Sequence, residues 1–125
     1  MNSVYWLVGI GGALGAMSRV FISGLLPSSV GQVPLKILLI NVMGCLALGL
    51  LTETMALYGN LSINLRHLLV QGFLGGFTTF SAFALEFGLL YEKGMSLTAL
   101  LYAILSVVLS IAFFFLGLKC IRLIS

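Results

Sequence analysis

Gly72-Phe73-Leu74-Gly75-Gly76-Phe77-Thr78-Thr79-Phe80-Ser81-Ala82-Phe83 is the stretch that decides how this chain folds. It lies in the middle of a segment otherwise apolar enough to cross a bilayer, yet it combines helix-breaking glycines, two threonines and regularly spaced phenylalanines. Backbone groups released from a helical ladder find no water in lipid. Such a break therefore persists only where it is buried in protein or lines an ion or water path. The stretch predicts a membrane helix broken near its middle, with the break as the candidate site.

The residues around it place the whole chain in the membrane. Of 125 residues, 61% are hydrophobic and 7% charged, and the mean hydropathy is +1.22. A soluble domain of this length could not cover its surface with so few charges. A spanning helix needs roughly 20 mostly apolar residues, and four such stretches occur, at about 4–26, 35–58, 67–91 and 96–118. Turn residues separate them: Pro27, Ser28, Ser29, Gly31 and Pro34, then Gly59, Asn60, Ser62 and Asn64, then Glu92, Lys93 and Gly94. The expectation is an all-α integral membrane protein, one four-helix domain over 1–125. No Lys or Arg precedes the first apolar run, which reads as a retained helix rather than a removable signal.

Small residues and charges speak to assembly. Gly11 and Gly15 form a GxxxG pair, with Gly12 and Ala16 spaced likewise, and such ridges let helices approach closely, either at a partner or inside one subunit. With four spans both termini share one side with Arg66, Lys119 and Arg122, while Lys36, Lys93 and Arg19 belong to the other. Three cations against three leave the orientation unbiased. Two oppositely oriented copies then pair about an axis in the membrane plane, and the expected assembly is an antiparallel, dual-topology homodimer.

Few polar residues lie within the spans. Asn41 shares a helix face with Gly44, Cys45, Leu48 and Thr52; it reads either as an interhelical hydrogen bond or as an amide donor to a permeating anion. Tyr102, Ser106 and Ser110 recur every four residues as a hydroxyl stripe, although membrane serines often bond back to their own helix. Phe80 and Phe83 face nearly the same way, and ring edges carry the positive end of the quadrupole. The spacing of Phe73, Phe77, Phe80 and Phe87 also fits a lipid-facing or core stripe. Arg19 reads as a vestibule charge or a snorkelling arginine, Glu86 stays open between capping and pairing, and Glu53 is placed at the interface. Cys45 and Cys120 lie at depths too different for a bridge. His67 stands alone, no His, Cys, Asp and Glu cluster has metal spacing, and no nucleophile has a base partner in sequence. The chain does not read as an enzyme. A net charge of +3 and pI near 9.1 suit basic flanks beside a bilayer, with no nucleic-acid partner implied.

Three groups of residues carry a family resemblance: Gly12, Gly15, Ala16 and Arg19; Asn41-Val42-Met43-Gly44-Cys45; and the third-segment run from Gly72 to Ser81. In them the chain resembles the small four-helix fluoride channels of the CrcB or Fluc type. The resemblance implies a dual-topology homodimer in the bacterial inner membrane, with two fluoride pathways each built from both subunits. It also implies a structural sodium ion at the dimer interface and no organic cofactor. By position, Phe80 and Phe83 resemble the ring pair beside fluoride, Asn41 a donor to it, Ser81 with Ser110 part of a polar track, and Arg19 a vestibule residue. The carbonyls of Gly75 and Thr78 resemble the sodium ligands. Cys45 departs from the small residue expected at its position. The implied activity is passive fluoride export that lowers cytoplasmic fluoride. A small multidrug-type proton-coupled exporter is the alternative and requires a first-helix carboxylate, which is absent here; a purely structural assembly subunit is a third reading.

Overall fold

The computed structural model describes residues 2–59 and 61–125; Asn60, expected in the second turn, lies outside the described residues. Helix α1 (Asn2–Ser23) is followed by two short strands, β1 (Ser29–Val30) and β2 (Val33–Pro34), and then by α2 (Lys36–Tyr58). The third membrane segment is composite: α3 (Ile63–Arg66), a π-helical stretch (His67–Leu74), α4 (Gly75–Phe77) and α5 (Phe80–Glu92). Helix α6 (Ser96–Ile124) completes the chain. Ser3–Ser23, Lys36–Tyr58, Ile63–Glu92 and Ser96–Ile124 are each long and apolar enough to cross a membrane.

Helix ends follow local chemistry. Helix α1 stops at Ser23 rather than near residue 26, because Leu25 and Leu26 bond back only three residues, to Ile22 and Ser23, and so tighten the chain ahead of Pro27. The first turn is a hairpin pairing Ser29 with Pro34 and Val30 with Val33. Gly31 at φ 60° supplies the left-handed corner of this two-residue loop. Gly59 at φ 64° closes α2, its N–H bonding to Met55 O at 2.9 Å. The third segment begins at Ile63 rather than near 67, since Ser62 Oγ accepts from Leu65 N at 3.1 Å and caps it. Helix α6 runs past residue 118 to Ile124, with neither Gly nor Pro in its last turns to stop it.

The break re-aims the third segment. Before it, the π-helical stretch and α4 pack on α1; after it, α5 packs on α6, while α2 and α6 form the most extensive helix pair. Glycine makes the close approaches possible. A Cβ on Gly11 would meet Leu68 O, and one on Gly15 would meet Phe73 O, with Phe77 N at 2.9 Å. Gly76 lies equally close on Gly12. The Gly11 and Gly15 ridge thus packs within one chain rather than at a partner. A second glycine contact joins α2 to α6: a Cβ on Gly49 would meet the Phe114 carbonyl, and one on Gly117 would lie 2.6 Å from Leu46 O. The compact core consists of Leu38, Val42, Leu90, Ala99 and Tyr102. Large apolar side chains such as Trp6, Phe21, Leu97 and Phe115 point outward, as a lipid solvent permits.

Near the end of α2, Glu53 is buried against α6, and it accepts a two-pronged contact from Arg122: Nε to Oε2 at 2.7 Å and an Nη to Oε1 at 3.4 Å. The pair ties the end of α2 to the end of α6. Removing the cation alone strands a buried carboxylate, whereas removing both charges does not. Arg122→Ala is expected to lower the thermal midpoint in detergent more than the Glu53→Gln/Arg122→Ala double variant does. Equal midpoints in a thermal shift assay would refute the clasp.

Candidate functional site

The break is built by two β-branched residues following two glycines. Thr78 (φ −84°, ψ 155°) and Thr79 (φ −152°, ψ 121°) are extended, which suits side chains stiff at χ1. Thr78 ends α4 by bonding twice to Leu74 O, through N at 3.0 Å and Oγ1 at 2.9 Å. Thr79 starts α5 as its N-cap, Oγ1 accepting from Ala82 N at 3.2 Å. A threonine just before a helical run is a sequence-readable cap signal, and it marks Thr79 as a site residue missed by the reading above.

Asn41 holds the break open. Its Nδ2 donates to Thr79 O at 3.0 Å, and Thr79 N donates to Asn41 Oδ1 at 2.8 Å. The amide thus makes the interhelical bond and keeps one N–H of its two for another acceptor. Because Thr79 N–H goes to Asn41, the Gly75 carbonyl loses the i+4 donor a continuous helix would supply. The Gly76 carbonyl is taken by Arg19, whose Nε donates at 3.3 Å. Arg19 therefore reaches the break itself, as a cation at the end of α4.

Asn41, Phe80, Phe83, Ser106 and Ser110 line one cavity of about 450 Å³, together with Gly75, Thr78, Thr79 and Cys45. Leu48, Val70, Leu74, Val107 and Ile111 supply its apolar wall. Five of the seven expected pathway residues, on three separate helices, are brought together there. The rings of Phe80 and Phe83 stand 5.4 Å apart at 51°, and Phe83 continues to Tyr102 at 5.3 Å. Ser106 is buried, and its hydroxyl has no hydrogen-bond partner among the described residues.

The other two expected pathway residues stand outside this wall. Ser81 Oγ lies 3.2 Å from Thr79 Oγ1. Tyr102 is fully buried, and its hydroxyl donates to Glu86 Oε2 at 2.6 Å. That bond supplies the partner that the sequence left open for Glu86. His67 Nδ1 meets Gln71 Oε1 at 2.9 Å one turn on. Cys45 and Cys120 are both free thiols.

A broken third helix clamped by an asparagine of the second, in a chain of four apolar spans, is the arrangement to set beside known proteins. The family model described as CrcB-like protein, Camphor Resistance (CrcB), matches residues 6–118. The chain belongs to the CrcB-like family. Among its CrcB-like relatives is the fluoride-specific ion channel FluC of Rhodopseudomonas palustris, 46% identical over 97% of this chain and 98% of the relative. The FluC of Francisella philomiragia is 44% identical, covering 94% and 93% of the two chains, and that of Rhizobium leguminosarum 40%, covering 95% and 96%. The match to CrcB-like proteins thus takes in all four spans and the break.

Proposed function

We propose that this protein is a passive, fluoride-selective channel of the bacterial inner membrane, which lets fluoride leave the cytoplasm down its gradient. The observation that carries the reading is the cavity beside the break. Fluoride is small and strongly hydrated, so a path for it must replace water with donors without holding the ion too tightly to leave. The remaining Asn41 N–H, Ser110 and the edges of Phe80 and Phe83 offer that. The N-terminal, positive end of α5 adds to the same field. FluC relatives bear the name of that activity along almost their whole length.

The site is half-built in one chain. Phe80 is 77% exposed although it lines the cavity. A second, oppositely oriented copy would cover it and give two equivalent pathways, in keeping with the balanced flanking charges. The Gly75 carbonyl, released by the Asn41 clamp, and the Thr78 carbonyl on extended backbone fit a hard monovalent cation such as sodium, which takes oxygen ligands. Bound between two copies, sodium would supply the positive charge that holds the two breaks together. A cysteine placed at one terminus of a cysteine-free background is expected to label from both sides of the membrane; labelling from one side only would remove the antiparallel arrangement.

The deciding experiment is fluoride efflux from liposomes containing the purified protein, read with a fluoride electrode beside a chloride trace, with valinomycin supplying the potassium counter-current. Rapid fluoride release without chloride is expected. No release from well-folded protein would overturn the channel reading. Phe80→Ile removes the ring edge while keeping an apolar side chain, and its fluoride flux is expected to fall by about tenfold or more, the effect of losing on the order of 1.4 kcal/mol at the barrier. Undiminished flux would place the path elsewhere.

A further inference from the structure

Tyr102 and Glu86 form a polar pair behind the cavity rather than in its wall. Tyr102 is fully buried in the core with Leu38, Val42, Leu90 and Ala99. A phenylalanine would fill such a place with no polar group to satisfy, whereas a buried phenol needs a partner for its hydroxyl. Glu86 supplies it: Oε2 accepts from the Tyr102 hydroxyl at 2.6 Å, at the short, strong end of the range for an O–H donor. Phe83 lies three residues before Glu86 on α5, so the two side chains leave the same helix face. Tyr102 is therefore met by α5 at two points, by Phe83 at its ring (centroids 5.3 Å apart, 34°) and by Glu86 at its tip.

The three rings form a row from core to cavity. Phe83 stands between Phe80, at 5.4 Å, and Tyr102, at 5.3 Å; Phe80 is exposed and Tyr102 fully buried. Of the three, Tyr102 alone has a hydrogen-bonding tip. The χ2 torsion of an aromatic side chain is broad, so the orientation of such a ring is set by what it rests against. Orientation matters here, because a ring that turns exchanges its positive edge for its negative face. We propose that Glu86 is a positioning residue for the anion path: by holding the Tyr102 hydroxyl it fixes the ring on which Phe83 leans, and so keeps Phe83 in a single orientation at the cavity. The inference rests on the channel reading. Glu86 itself has no place in the cavity wall, so it acts through Tyr102 and Phe83 rather than on the ion. What the position requires is an acceptor oxygen, which a glutamine supplies as well as a glutamate.

The test reads two quantities on the full-length protein: fluoride efflux from liposomes, and the fluorine NMR resonance of 4-fluorophenylalanine placed at position 83. Glu86→Ala is expected to lower flux by about fivefold or more, the effect of losing on the order of 1 kcal/mol at the barrier, and to broaden or split the resonance. Tyr102→Phe, which keeps the ring and removes only the hydroxyl, is expected to do the same, and it carries the comparison should Glu86→Ala not fold. Glu86→Gln is expected to restore both the flux and a single sharp line. The Glu53→Gln/Arg122→Ala variant cuts a different tie between helices, and is expected to change neither reading. Flux in Glu86→Gln as low as in Glu86→Ala would make the charge, not the hydrogen bond, the active property and overturn the inference. So would lost flux with an unchanged resonance, undiminished flux in Glu86→Ala and Tyr102→Phe, or equal losses in the Glu53 and Arg122 variant. Each of these leaves the channel reading in place, whereas absence of flux from the folded wild type overturns both.

Discussion

Replacing Asn41 with aspartate is expected to abolish fluoride efflux while leaving a folded protein. The carboxylate still accepts from Thr79 N–H, now at 2.8 Å, so that half of the clamp survives. The other half turns repulsive, because the amide that donates to Thr79 O becomes an oxygen facing an oxygen. A fixed negative charge in this cavity also opposes any anion entering it, and the low dielectric around it strengthens the opposition. Asn41→Ala separates the two effects. It leaves Thr79 N–H and C=O without their partner, at roughly 1–3 kcal/mol for such unsatisfied groups, but adds no charge. The alanine variant is therefore expected to lose more thermal stability and to retain some flux, and the aspartate variant the reverse. Liposome efflux and thermal unfolding in detergent measure both. Unchanged flux in Asn41→Asp would remove Asn41 from the neighbourhood of the path.

Gly15→Ala is expected to be the more damaging substitution for assembly of the chain itself. Its Cβ would run into the Phe73 carbonyl and meet Phe77 N at 2.9 Å, and both obstacles are backbone. A flexible side chain could swing away, but a helix can yield only by moving. Overpacking of side chains in a core already costs about 1–3 kcal/mol, and a backbone clash lies at or beyond the top of that range. Moving α1 off α4 would also draw Arg19 from the Gly76 carbonyl and so loosen the break. Gly9→Ala is the matched control, since a Cβ there meets nothing within 4 Å. The expected outcome is poor yield and aggregation of Gly15→Ala in size-exclusion chromatography, with Gly9→Ala eluting as the wild type does. Equal behaviour of the two would refute the α1 contact.

Much of this arrangement was legible in the residues. Glycines and β-branched threonines at 75–79 weaken a helix by known propensities, so the break could be placed within the run from Gly72 to Phe83. The stripe formed by Ser106 and Ser110 followed from helical spacing, and so did the face shared by Asn41 and Cys45. Spacing said nothing about which helices would meet. Glu53 and Arg122 are 69 positions apart, and Arg19 and Gly76 are 57 apart. Nothing local links such pairs. Gly49 and Gly117 were equally silent, because a glycine in an apolar helix looks the same whether it faces lipid or another backbone.

By itself the sequence determined the solvent, the number of spans and the position of the break. Each of these depends on composition and local backbone preference, which act over a turn or two of chain. The tertiary structure alone decided that the glycine ridge of α1 packs on the pre-break half of the third segment, and that Asn41 is used to grip Thr79. It also decided that Asn41, Ser106 and Ser110 come to line one cavity with Phe80 and Phe83. In lipid, apolar side chains gain little by choosing one neighbour over another, so helix partners are selected by close backbone contact and by where the few polar groups find each other. Both are properties of the assembled bundle.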